Sequence, residues 1–67
     1  MRTYGMLREL IRNKYGSIKN FSQAVTMETS TLQRKLCGKT EWKTSEIEEV
    51  SKLLGIKTED IPDYFFY

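Results

Sequence analysis

Three observations predict an all-α fold of about five short helices. Apolar residues recur at i, i+3 and i+4 in several short stretches. No run of four or more residues alternates as a strand would. The helical stretches end at Gly16, at a turn over 26–28, at Cys37-Gly38 and at Gly55. With 67 residues, no repeat and no linker, the chain is expected to form a single compact domain over 1–67. One core of that size supplies stability of roughly 3–5 kcal/mol.

Tyr4, Leu7, Leu10, Ile11 and Tyr15 set out helix one, roughly 3 to 15. Gly16 stops it, and Ser17 stands where its side-chain oxygen can cap the next helix. Ile18, Phe21, Ala24 and Val25 mark helix two, about 18 to 25. Thr26-Met27-Glu28 is a turn, and helix three follows over about 29 to 36. After the loop KTEWKT, Thr44 or Ser45 caps helix four, and Ser45 with Glu48 fits a capping box. Ile47, Val50, Leu53 and Leu54 form its apolar face. A last short turn begins near Thr58 and carries Ile61, with Pro62 tolerated only in its first turn or just beyond it. Two helices of about eight residues joined by a three-residue turn are the layout of a helix-turn-helix, here about 17–37. Phe21, Val25, Met27, Leu32 and Leu36 are expected to pack them together.

Composition excludes several classes of function. The single cysteine, Cys37, forms no internal disulfide, which favours a reducing compartment. With one Cys and no His, a zinc site and Cys–His or Ser–His catalysis are unsupported, so no catalytic residue, no metal and no cofactor is expected. No apolar run approaches a membrane span, and the opening MRTYGMLREL, broken by Arg8 and Glu9, is not expected to be a signal peptide. Charge is divided unevenly. Residues 1–43 hold nine Lys and Arg against three acids, a net of +6. Residues 44–67 hold two Lys against six acids, a net of −4. Such asymmetry points to a polyanion on one side, or to ordinary solvated surface.

Helix three is too polar for a core helix. In TSTLQRKL only Leu32 and Leu36 are apolar, which defines one narrow stripe. At about 100° per residue, Arg34 and Ser30 fall opposite that stripe, flanked by Thr31 and Gln33. Thr29 lies near the buried edge but in the first turn, where it can project past the helix end. This face carries no acid. Arg can pair with guanine O6 and N7, Gln with adenine N6 and N7, and Ser and Thr with either base. A merely solvated helix is usually richer in the strong helix formers Glu, Lys and Ala.

SIKNFSQAVTMETSTLQRKLCGK resembles the helix-turn-helix of the phage Cro and repressor proteins, with Phe21, Val25, Met27, Leu32, Gly38 and Lys39 at the family's pattern positions. The tail EIEEVSKLLGIKTEDIPDYFF is similar to that of small Cro-like regulators of phages of Gram-positive bacteria, so the likeness covers about residues 4 to 66. It implies a lambda repressor-like fold. The chain departs from the pattern at Ile18, at Ser22 (usually alanine), at Thr26 (usually glycine) and at Cys37 (often asparagine). Carried over by position, the resemblance implies base contacts from Thr29, Ser30 and Arg34 with Gln33 as helper. Its phosphate contacts fall around Cys37, through the backbone, and at Lys39 and Thr40. Lys19 and Lys43 join the phosphate set on charge and location alone.

The expectation is a non-enzymatic, sequence-specific transcription regulator of a phage or prophage, acting in the host cytoplasm on double-stranded operator DNA. Monomer and homodimer on DNA both remain open. The alternative is a protein-interaction module of antirepressor type, acting on a partner phage repressor through the acidic, aromatic C-terminal part. Trp42 is read as a core plug beside helix four, and Cys37 as chemically inert. DYFFY is either a dimer surface or a packed lid.

Overall fold

The helices begin and end where local chemistry closes them. In the computed structural model, which describes residues 4–66, α1 spans Gly5–Tyr15, α2 Ile18–Ala24, α3 Thr29–Leu36 and α4 Thr44–Leu54. A 3-10 turn at Thr58–Asp60 leads into α5, Ile61–Phe65. There is no strand among the described residues. The expected first residue of helix one, Thr3, and the last aromatic of the tail, Tyr67, lie outside them.

The α1–α2 corner is built as its sequence predicts. Gly16, at φ 85°, donates its N–H to the Arg12 carbonyl at 2.9 Å. The Ser17 hydroxyl accepts from the Asn20 N–H at 3.1 Å, and the Asn20 amide donates to the Tyr15 carbonyl at 2.9 Å. The Tyr15 ring meets Phe21 edge-on at 4.8 Å. The α2–α3 turn is less comfortable. Thr26 adopts φ 52°, a left-handed conformation that costs a β-branched residue roughly 1–2 kcal/mol. Two bonds offset that cost. Met27 donates its N–H to the Ser22 carbonyl at 3.0 Å, and the Thr26 hydroxyl donates to the Val25 carbonyl at 2.6 Å. Thr26 thus holds a left-handed backbone conformation that glycine adopts more readily.

Four expectations need correction. Tyr4 is left-handed and stands outside α1, which starts at Gly5. Val25 closes α2 instead of continuing it. The cap of α4 is Lys43, not Thr44 or Ser45, and the Glu46 carboxylate rather than that of Glu48 reaches back to the cap, accepting the Lys43 N–H at 2.8 Å. On α4 the buried stripe is Ile47, Val50, Ser51 and Leu54, while Leu53 is exposed.

One core joins all five helices. Leu7 and Ile11 of α1, Phe21 of α2, Leu32 and Leu36 of α3, Val50 and Leu54 of α4, and Phe65 of α5 are almost wholly buried, with Val25 beside them. Trp42 is half-buried over this core, edge-on to Phe65 at 5.1 Å and to Tyr4 at 6.3 Å. Pro62 sits in the first turn of α5, where its missing N–H costs nothing. No helix among the described residues is long and apolar enough to cross a membrane.

The least expected core member is a charge. Lys35 of α3 is only 3% exposed. Its ammonium bonds the Glu46 carboxylate at 2.9 Å, donates to the Glu41 carbonyl at 3.1 Å, and lies 5.9 Å from the centre of the Trp42 ring. These contacts tie the end of α3 to the start of α4. Partial burial pushes the Glu46 carboxyl up. The Lys43 N–H and the ammonium groups of Lys35 and Lys43 outweigh it and hold the carboxyl below its ordinary value.

Two outcomes follow for stability. Leu32→Ala removes a fully buried side chain at a cost of about 2–5 kcal/mol, comparable to the whole expected stability. Circular dichroism should find it largely unfolded at room temperature; a cooperative melt close to the parent's would contradict this role for Leu32. Glu46 acts through pH. Its carboxyl ionises more readily folded than unfolded, so its stabilisation is complete above the ordinary value of 4.5 and is lost as pH falls through the lowered folded value. In urea titrations Glu46→Gln should lose less stability than the parent on acidification from neutrality into that range. Parallel losses would mean that the carboxylate contributes nothing specific.

Candidate nucleic-acid interface

Helix α3 has one face in the core and one in solvent, and the division follows its sequence residue by residue. Leu32, Leu36 and Lys35 are buried; Ser30, Gln33 and Arg34 are exposed; Thr29 and Thr31 are intermediate. The first turn of α3 carries no acid, and Glu28 before it makes no side-chain cap. The leading N–H groups therefore have no side-chain acceptor from the cap position. At the other end Gly38, at φ 80°, closes the helix. Its N–H donates to the Lys35 carbonyl at 3.2 Å, and the Lys39 N–H to the Arg34 carbonyl at 2.9 Å. This turn carries Cys37, Lys39 and Thr40 directly off the end of α3, all three exposed.

The expected base-contacting residues are not equally free. Ser30, Gln33 and Arg34 project from the exposed face. Thr29 is engaged: its hydroxyl oxygen lies 2.9 Å from that of Ser22 on α2. Of the expected phosphate-contacting residues, Lys19 is exposed in the first turn of α2. Lys43 is exposed but stands apart in role. It caps α4, and its ammonium is one of the charges that lower the Glu46 carboxyl, so part of its charge is spent on that helix.

Two arginines missed in the sequence reading adjoin this surface. Arg8 and Arg12 of α1 line a small crevice with Ile18 of α2, Gln33 and Leu36 of α3, and Cys37 just past its end. No ion pair engages either guanidinium among the described residues. Their i, i+4 spacing was the available signal, because it puts both on one side of α1. Which side faces α3 depends on tertiary packing. Lys35 was missed for the opposite reason, since a lysine on a polar helix reads as surface. No cluster of His, Cys, Asp and Glu able to hold a metal ion occurs among the described residues.

The arrangement offers an acid-free row of hydrogen-bonding side chains on a short helix. It is flanked on one side by Arg8 and Arg12 and followed in the chain by Lys39. None of the curated proteins matches the chain. Residues 2–67 match the family described as "Protein of unknown function (DUF739)", and the chain belongs to that family.

Proposed function

We propose that the protein is a sequence-specific, non-enzymatic transcription regulator of a phage or prophage. In this reading it resembles a Cro-type repressor that occupies operator DNA in the host cytoplasm. The observation that carries the reading is the division of α3: Leu32 and Leu36 lie at 0% and 2% exposure while Ser30, Gln33 and Arg34 face outward with no acid among them. An α-helix with its side chains is about 10–12 Å across, which suits a major groove about 12 Å wide. In this docking α3 enters the groove and α2 crosses the backbone. Arg34, Gln33, Ser30 and Thr29 read bases. Lys19, Lys39, Thr40 and the backbone at Cys37 hold phosphates, joined by Arg8 and Arg12. Lys43 contributes less than its charge suggests. A symmetric operator would be read by two copies, one per half-site.

A second reading has one specific observation in its favour. Met6 and Phe66 are each 54% exposed, and the second half of the chain is acidic. A partner repressor bound there would make this an antirepressor. A DNA mobility shift that appears only with that partner present would select this reading.

Phosphate contacts predict salt dependence. With about 3–5 phosphates neutralised per subunit, log affinity should fall against log salt with a slope of about −3 to −5. Lys39→Ala should weaken all duplexes alike and make the slope shallower by about one. Affinity indifferent to salt would remove the phosphate role.

Base contacts predict a different signature for Arg34. A bidentate Arg–guanine pair is worth about 1–3 kcal/mol of discrimination. Arg34→Ala should leave folding intact, because the side chain is exposed. It should weaken the preferred duplex by about 5- to 160-fold and flatten the preference at one position per half-site. Titration against the operator and its single-base variants reads both effects. Equal weakening of every sequence would make Arg34 a phosphate contact. No change would count against DNA reading by this face.

A further inference from the structure

The hydroxyl of Thr29 has a fixed polarity, set from α2. Ser22 is 2% exposed, and its hydroxyl has one hydrogen. That hydroxyl lies 2.6 Å from the Lys19 carbonyl oxygen, which can only accept. The Ser22 hydrogen is therefore committed to Lys19. The 2.9 Å contact between the Ser22 and Thr29 hydroxyls must then be donated by Thr29. With its hydrogen turned inward to Ser22, Thr29 presents only oxygen lone pairs to anything that approaches from solvent. Its rotamer is held by the same bond, at the first residue of α3, beside a helix terminus where no side chain caps.

We infer that Thr29 is an acceptor-only specificity residue, with Ser22 as the positioning residue behind it. This rests on the DNA-binding reading. In the major groove, adenine N6 and cytosine N4 are donors, whereas guanine O6 and N7 and thymine O4 are acceptors. An oxygen with no hydrogen to give meets the amino bases favourably. It meets a keto oxygen as an uncompensated lone-pair contact. Thr29 therefore selects adenine or cytosine over guanine or thymine on the strand it faces, at one position per half-site. A freely rotating threonine hydroxyl would accept either class.

The test uses the full chain and duplexes carrying all four bases at each operator position. The position read by Thr29 is the one whose preference responds to Thr29→Val, which keeps the shape and removes the hydroxyl. The parent should favour the amino bases there by roughly 3- to 10-fold, the range of one net hydrogen bond. Thr29→Val should abolish that preference. Ser22→Ala suits a helix interior, and it releases the Thr29 hydrogen to rotate toward a keto base. It should level the amino–keto preference at that position. A thermal melt of each variant establishes that it is folded before the titration is read.

A keto base favoured by the parent at the responding position would overturn the inference. So would an amino-base preference that Thr29→Val reduces only slightly, since it would then come from a contact other than the Thr29 hydroxyl. An unchanged preference in Ser22→Ala would leave Ser22 without its positioning role and overturn the proposed mechanism. Sequence-specific binding in which no position responds to Thr29→Val would overturn this inference alone. Absence of sequence-specific binding by the parent would overturn the DNA-binding reading, and this inference with it.

Discussion

The fold depends on anchoring an eight-residue helix that cannot stand by itself. A helix as short as α3 is unstable in water, and this one has only two apolar side chains with which to dock. Leu32 and Leu36 are almost wholly buried in a core to which the other four helices also contribute. Phe21 and Val25 approach from α2, Leu7 and Ile11 from α1, Val50 and Leu54 from α4, and Phe65 closes the end. Because so little of α3 is apolar, its orientation needs a second restraint. Lys35 provides it, reaching Glu46 and the Glu41 carbonyl across the loop. Hydrophobic contact holds α3 down, and the directional bonds of one buried lysine fix its far end to α4.

This anchoring leaves the outward half of α3 free of structural duty. Ser30, Gln33 and Arg34 contribute nothing to the core, so their identities answer to whatever they touch. The strained Thr26 turn belongs to the same arrangement. It brings α2 back at the angle at which Ser22 meets Thr29, which couples the first residue of α3 to the helix behind it. A residue on the supporting helix thereby acts on the chemistry of the exposed face without being exposed itself.

Much of this was legible in the sequence because short-range chemistry decided it. Helix three was expected over 29–36 and occupies Thr29–Leu36, since Leu32 and Leu36 admit one docking face and Gly38 one ending. The Ser17 cap and the Gly16 stop are local, and they hold. What escaped was decided across the fold. The Ser45–Glu48 box satisfied the sequence pattern, but Glu46 is the carboxylate that Lys35 and the Lys43 N–H draw in. Leu53 read as core from hydropathy and Ser51 was not assigned, yet the 3.6-residue period set by Ile47, Val50 and Leu54 places Ser51 inside. Lys35 had no place in the buried stripe, because what buries its charge is Glu46 and the Glu41 carbonyl beyond the helix. Arg8 and Arg12 joined the α3 surface only through the packing of α1. The outward residues of the candidate site were readable from a helical wheel. The direction of a hydroxyl hydrogen on Thr29 was not, because it depends on a partner seven residues away on another helix.

The central claim is that the outward face of α3 reads base sequence. Selection of bound duplexes from a random pool by the full chain tests it most directly, without assuming an operator. The account predicts enrichment of a short motif a few base pairs long, or of two such motifs about one helical turn apart if two copies bind. Recovery of duplexes with no shared sequence, at an affinity governed by salt alone, would contradict it.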